Sequence, residues 1–165
     1  MKKILLTLLC IPLLFSCFKD DQKMEYAKIY FPLAARAVNG VFNASFNMEA
    51  DTSFIVGAYC AGSIFTPVDV DVEIALAEEE FTASKAESAS LAAYELLPED
   101  LYEIVPSNLK LTIKAGTERA DLRIHFKTGQ FVAGKKYVLP LKLVSVSKYE
   151  IADQYNVLYF GVTAN

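Results

Sequence analysis

A mainly β fold, a sandwich of about seven short strands with one short crossover helix, is predicted by three observations. Apolar residues recur at every second position in several short runs, the period of half-buried strands. One segment alone breaks that rhythm. Once the first sixteen residues are set aside, 149 of the 165 remain, enough for a hydrophobic core without disulfide staples.

In chain order, a run from Tyr26 to Leu33 opens the sheet. Phe42, Ala44, Phe46 and Met48 then share one face, with Asn43, Ser45 and Asn47 on the other. Phe54, Val56, Ala58 and Cys60 oppose Ile55, Gly57 and Tyr59, so both faces are apolar, as a central strand requires. The cleanest alternation sets Val68, Val70, Val72, Ile74 and Leu76 against Asp69, Asp71 and Glu73. Thr82 to Leu97 is rich in Ala, Ser and Glu, and Ser84-Lys85-Ala86-Glu87 has the form of a capping box. A helix of about ten residues is expected there, ending near Ala93 because Pro98 forces Leu97 to be extended, and crossing between the sheets. Leu109, Leu111 and Ile113 lead through Ala115-Gly116-Thr117-Glu118 into Ala120, Leu122, Ile124 and Phe126, which reads as a hairpin with one wet face. Tyr137 to Val146 and Val157 to Thr163 are two further strands, joined by the polar connection Ser147 to Asn156. Pro140 cannot donate to a ladder, so its strand should bulge or lie at an edge there. The arrangement expected is an immunoglobulin-like β-sandwich over residues 26–165.

The first sixteen residues are an address. Lys2 and Lys3 precede an apolar run, Ile4 to Phe15, which is the build of a secretory signal and too short for a permanent span. The run closes in Leu14-Phe15-Ser16-Cys17, which resembles a bacterial lipobox with Cys17 as the acylated residue. Residues 17–25 follow as acylated cysteine and charged tether. Phe18-Lys19-Asp20-Asp21-Gln22-Lys23 resembles the export signal of Bacteroidetes-type surface lipoproteins. The expected location is the outer membrane, lipid-anchored and facing the exterior, with the membrane as partner through the acyl chains. Cys10 leaves with the leader and Cys17 is acylated, so Cys60 has no partner for an intramolecular disulfide and packs as a small hydrophobe.

Composition narrows the function classes. Without Lys2 and Lys3 the net charge of −4 becomes −6, which makes nucleic acid a poor partner. His125 is the only histidine, so multi-histidine metal sites are excluded, and no Gly-x-Ser-x-Gly elbow supplies a nucleophile. Asp69, Asp71 and Glu73 offer carboxylates from one side of a flat strand, whereas Ca²⁺ wants six to eight oxygens from a wrapping loop. Glu78-Glu79-Glu80 and Glu99-Asp100 would serve a glycosidase only if held across a cleft. No cofactor, no metal and no catalytic residue is expected. The one loop mixing aromatic and polar side chains supplies the candidate ligand site: Tyr149, Glu150, Asp153, Gln154, Tyr155 and Asn156.

Leu96-Leu97-Pro98-Glu99-Asp100-Leu101-Tyr102, Leu111-Thr112-Ile113-Lys114-Ala115-Gly116 and Tyr137-Val138-Leu139-Pro140-Leu141-Lys142-Leu143 follow one another in an order that resembles a domain of unknown function common in Bacteroidetes surface lipoproteins. The similarity runs from Val68 to Val162. It implies a β-sandwich, often N-terminal to lectin-like or glycosidase-like modules encoded among genes for glycan use; here no second module is expected after Asn165. The resemblance carries no catalytic residues to transfer. The function expected is therefore a non-catalytic surface lipoprotein that binds glycan or assists a glycan-uptake system. The alternative is a structural or adhesin-type module that binds other surface proteins.

Overall fold

The computed structural model describes residues 27–164. Its elements are β1 (Lys28–Tyr30), α1 (Pro32–Ala35), β2 (Phe42–Phe46), β3 (Thr52–Ala61), β4 (Val70–Leu76), α2 (Glu78–Glu87) and β5 (Tyr94–Leu96). There follow β6 (Tyr102–Val105), β7 (Lys110–Ile113), β8 (Arg119–Phe126), β9 (Lys136–Val146), β10 (Glu150–Ile151) and β11 (Val157–Ala164). One sheet has the order β10-β1-β3-β8-β6; the other has β2-β11-β9-β4-β7, with β5 also alongside β9. This is the expected sandwich. Several of its eleven strands are only two to four residues long, which is why the coarser count from periodicity was about seven.

The core is where the inward half of each alternation meets its counterpart. Val56, Ala58, Leu122 and Ile124 of one sheet face Val70, Val72, Leu139, Leu141 and Leu158 of the other, all buried. Phenylalanines fill one region of it. Phe160 of β11 lies 4.8 Å from Phe54 of β3 and stacks on Phe126 of β8 at 5.8 Å, so three strands from two sheets share one aromatic cluster. A fully buried Phe is worth about 1.5–3 kcal/mol, which makes this cluster a principal tie between the sheets. The two ends of the sandwich are each closed by a fully buried threonine. Thr66 Oγ1 donates to the Val68 carbonyl at 2.7 Å, and Thr128 Oγ1 donates to the Ala50 carbonyl at 2.6 Å.

Three local expectations are revised. β7 and β8 do not form a hairpin: β7 pairs with β4 in one sheet, while β8 pairs with β3 and β6 in the other. Their apolar faces look at each other across the core, an arrangement that has the same period-two signature as a hairpin. The helix begins at Glu78 and ends at Glu87, well before Ala93. Glu78, Glu79 and Glu80 in its first turn complement the positive end of the helix dipole, and the residue before it, Ala77, makes no side-chain cap. Ser84, expected as a cap, lies inside the helix with its hydroxyl 2.8 Å from that of Tyr159. Because β4 and β5 both border β9, α2 leaves and rejoins one sheet, and residues 97–101 make the crossing to β6. Finally, of the two alternatives for the strand of Pro140, β9 is central and not an edge, and it carries its bulge at Val144, four residues past the proline. Pro140 falls in the gap between its stretch paired with β5 (136–138) and its stretch paired with β4 (141–146), and its carbonyl accepts the Ala77 N–H at 3.0 Å. The register shift opposite Glu73/Ile74 leaves Val144 as the unpaired residue.

α2 covers part of the outer face of its sheet through a second, smaller core: Phe81, Leu91, Tyr94, Val138 and Val41 are buried together. Gly161 makes this possible. A Cβ there would stand 3.0 Å from the Tyr94 ring, 2.6 Å from Val41 and 2.5 Å from the Asn43 side-chain oxygen that Tyr94 OH donates to. We therefore expect Gly161→Ala to lower the unfolding free energy by about 1–3 kcal/mol in urea denaturation, as overpacking does. A midpoint unchanged from the parent would contradict the close fit.

Candidate functional site

The loop expected to carry a ligand site is in large part a structural brace. Glu150 is in β10, which adds to β1, and its carboxylate is 3.6 Å from Lys28 Nζ. Tyr149 has φ 68° and shares a 3.1 Å hydrogen bond with the buried Thr66 hydroxyl. Asn156 gives its carbonyl to Leu143 N–H at 2.8 Å. Asp153, Gln154 and Tyr155 are exposed, and the Tyr155 ring lies 6.2 Å from that of Tyr30. Cys17 lies outside the described residues.

The other candidates are held in local pairs. Asp69 is 2.7 Å from Lys114 Nζ and accepts the Ala115 N–H; Thr112 Oγ1 donates to Asp71 at 2.8 Å; Glu73 lies 3.2 Å from Lys110 and accepts from Ser145. Hydrogen bonds from Lys114 and Lys110 hold the Asp69 and Glu73 carboxyls below the ordinary carboxylate range. Among the described residues, no group of three or more His, Cys, Asp or Glu is arranged to hold a metal ion. His125 Nδ1 is 2.7 Å from Ser53 Oγ on the neighbouring strand, on the outer face of the sheet. Glu80 is 2.6 Å from Lys142, and Glu99 and Asp100 lie in a separate 3₁₀ turn. Cys60 is buried, and burial holds its thiol above the usual range.

What single-strand reading missed is a face assembled across strands. In the five-stranded sheet, antiparallel register aligns side chains in rows on the outer surface. Tyr30, Tyr59 and Arg119 make one row, Gly57 and Asp121 the next, then Ile55, Arg123 and Val105, then Ser53, His125 and Glu103. Tyr30 and Tyr59 lie edge to face, 6.4 Å apart. Arg119 donates to Tyr59 OH at 2.9 Å and pairs with Asp121 Oδ2 at 3.2 Å. Gly57 leaves room for the Tyr59 ring, since a Cβ there would be 2.9 Å from it and 3.0 Å from Asp121 Oδ1. That Oδ1 is buried and has no hydrogen-bond partner among the described residues. With Tyr155 beside Tyr30, the face brings three tyrosines next to an Arg–Asp pair. The available signal was the alternate set Ile55, Gly57, Tyr59, which matches Arg123, Asp121 and Arg119 one for one.

Two sheets packed on a shared core, with a helix over part of one outer face, define a β-sandwich module. Residues 22–150 match the model of a family described as a "-like, N-terminal domain", and the chain belongs to that family. Solved structures agree on the fold. A Bacteroides ovatus protein provisionally named as carbohydrate-binding is 22% identical, with a TM-score of 0.59 over 82% of this chain and 36% of its own. A multidomain Bacteroides ovatus protein including DUF1735 is 21% identical, with a TM-score of 0.64 over 86% of this chain and 46% of its own. EndoBT-3987 of Bacteroides thetaiotamicron, solved with a Man5GlcNAc product, is 11% identical, with a TM-score of 0.52 over 84% of this chain and 31% of its own. The chain thus spans about a third to a half of these proteins. No curated protein matches. The family and its Bacteroides neighbours support the resemblance to a Bacteroidetes domain of unknown function.

The lysine-paired carboxylates predict acid sensitivity of definite sign. Folded pKa values below those of the unfolded chain contribute stability that is present above about pH 4, the unfolded value, and lost as pH falls through the folded values. Thermal unfolding from pH 7 to pH 3 should therefore show a falling melting temperature at the acid end, and Asp69→Asn with Glu73→Gln should make that fall shallower. An acid limb identical in the double variant would assign the sensitivity elsewhere.

Proposed function

We propose that this chain is a non-catalytic, lipid-anchored module of the outer-membrane surface that binds glycan, alone or in the service of a glycan-uptake system. The observation that carries the reading is the outer face of the five-stranded sheet, where Tyr30, Tyr59 and Tyr155 stand beside the Arg119–Asp121 pair. Tyrosines offer apolar ring faces to a sugar and keep a polar tip in water. Arg119 and Asp121 supply a donor and an acceptor for sugar hydroxyls, and Asp121 Oδ1 has no hydrogen-bond partner among the described residues. The names of two structural neighbours, one provisionally carbohydrate-binding and one holding a Man5GlcNAc product, favour the same ligand class. Location rests on the lipobox-like Leu14-Phe15-Ser16-Cys17 and the acidic tether. A protein-interaction module is the second reading, favoured by Ile55 and Val105, which are exposed on either side of Arg123 on the same face.

Affinity electrophoresis of residues 24–165 in gels holding the polysaccharides on which the cell grows should retard the protein. Tyr30→Ala or Tyr59→Ala should each weaken retention about twofold to twelvefold, the loss of a ring contact of roughly 0.5–1.5 kcal/mol. No retention in any gel, together with recovery of a stoichiometric partner that Ile55→Asp abolishes, would favour the second reading. For the anchor, radiolabelled palmitate should enter the protein and be absent from Cys17→Ser, and protease added to intact cells should degrade the domain. A domain untouched until lysis would place it inside.

A further inference from the structure

The two chain ends leave the sandwich on opposite sides. Lys28 pairs with Ala61, so the N-terminal segment enters beside the turn at residues 62–69. Ala164 pairs with Phe46, which places the other end by the loops at 47–51 and 127–135. The turn at 62–69 carries Phe65 and Val68, 59% and 43% exposed, next to half-buried Ile64. It is a braced turn. Thr66 at its centre is fully buried, bonded to the Val68 carbonyl and the Tyr149 hydroxyl, and its own carbonyl accepts the Gly116 N–H at 2.8 Å. The turn therefore holds Phe65 outward, in water, with the rest of the loop tied down behind it.

Charge at this end is balanced. Asp69 is paired with Lys114 and Glu150 with Lys28, while Glu118 and Lys148 add one charge of each sign. Nine residues separate Cys17 from Ala27, so the ten steps between them reach at most roughly 35 Å of extended chain at about 3.3–3.6 Å per residue. An acyl anchor at Cys17 would keep this end, and not the opposite one, next to lipid. We infer that Phe65, flanked by Ile64 and Val68, rests in the interfacial layer of the bilayer and gives the tethered domain a second point of contact. The inference rests on the lipid-anchored reading above. A single aromatic side chain is too weak to bind a membrane from solution, but a short tether supplies millimolar effective concentration, at which a weak contact is populated. Chain continuing past Ala164 would be delivered to the far end, which leaves lipid as the occupant that the position of Phe65 selects. The contact would stand the strands away from the membrane and turn the tyrosine-bearing face sideways.

The chain has no tryptophan, so Phe65→Trp provides a unique indole. Residues 17–165, which keep every described element, are coupled through the Cys17 thiol to maleimide-bearing phosphatidylethanolamine in phosphatidylcholine vesicles; Cys60 is buried and spared. On coupling, the Phe65→Trp emission should shift to the blue and be quenched about twofold by brominated lipid, while Val132→Trp, on the opposite loop, stays as in water. An unshifted, unquenched Phe65→Trp signal would overturn the inference. So would a signal already shielded before coupling, which would mean that the tether or a second copy covers the turn. Because the coupling is chemical, the result does not depend on whether the cell acylates Cys17, which the palmitate experiment decides separately.

Discussion

The aromatic cluster between the sheets sets the parity on which the rest of the molecule depends. Phe54 and Phe126 point inward to meet Phe160, and in a strand the side that each residue faces then follows by alternation. With Phe54 committed to the core, Ile55, Gly57 and Tyr59 must face out; with Phe126 committed, so must His125, Arg123, Asp121 and Arg119. A slip of one residue in β8 would bury Arg123 and expose Ile124, and a slip in β3 would bury Tyr59 and expose Ala58, which makes the register strongly specified. The outer row of Tyr30, Tyr59 and Arg119 is thus a consequence of how the core is filled.

The two outer faces have been put to different uses. On the six-stranded sheet, one end is occupied by α2 through Phe81 and Tyr94, and the other carries Asp71, Glu73, Lys110, Thr112 and Ser145 bonded to one another. There each charged or hydroxyl group has a neighbour on an adjacent strand. On the five-stranded sheet, Gly57 makes a dip that the Tyr59 ring fills, and Asp121 Oδ1 beneath it is left without a partner. A buried acceptor of this kind costs about 1–3 kcal/mol, and its cost is recovered when a donor arrives. That asymmetry distinguishes the two faces, and the proposed site lies on the one with the unpartnered acceptor.

Much of the fold was legible because strands that pack against a core on one side write it as alternation, and Val70 to Leu76 did so plainly; Tyr137 to Leu141, buried on both faces between two cores, reads as an unbroken apolar run instead. Neighbour choice was less legible. Period two says which side of Leu111, Ile113, Leu122 and Ile124 is dry, but a hairpin and two strands facing across a core have the same pattern. The capping-box motif at Ser84 misplaced the helix because its start depends on the three glutamates before it and on Phe81 docking against Tyr159. Tyr155 could be picked out from its loop. Tyr30 and Tyr59 could not, since they become neighbours only when β1 and β3 pair, 29 positions apart in the chain.

The central claim is that ligand meets the outer face of the five-stranded sheet. The most direct measurement is a nuclear magnetic resonance titration of isotopically labelled residues 24–165 with soluble fragments of the glycans that the cell consumes. The account predicts shift changes centred on Tyr30, Gly57, Tyr59, Arg119, Asp121 and Tyr155, with the amides of α2 and of Asp71 to Glu73 unmoved. Changes centred on α2 or on the paired carboxylates of β4, with the tyrosine rows silent, would contradict it.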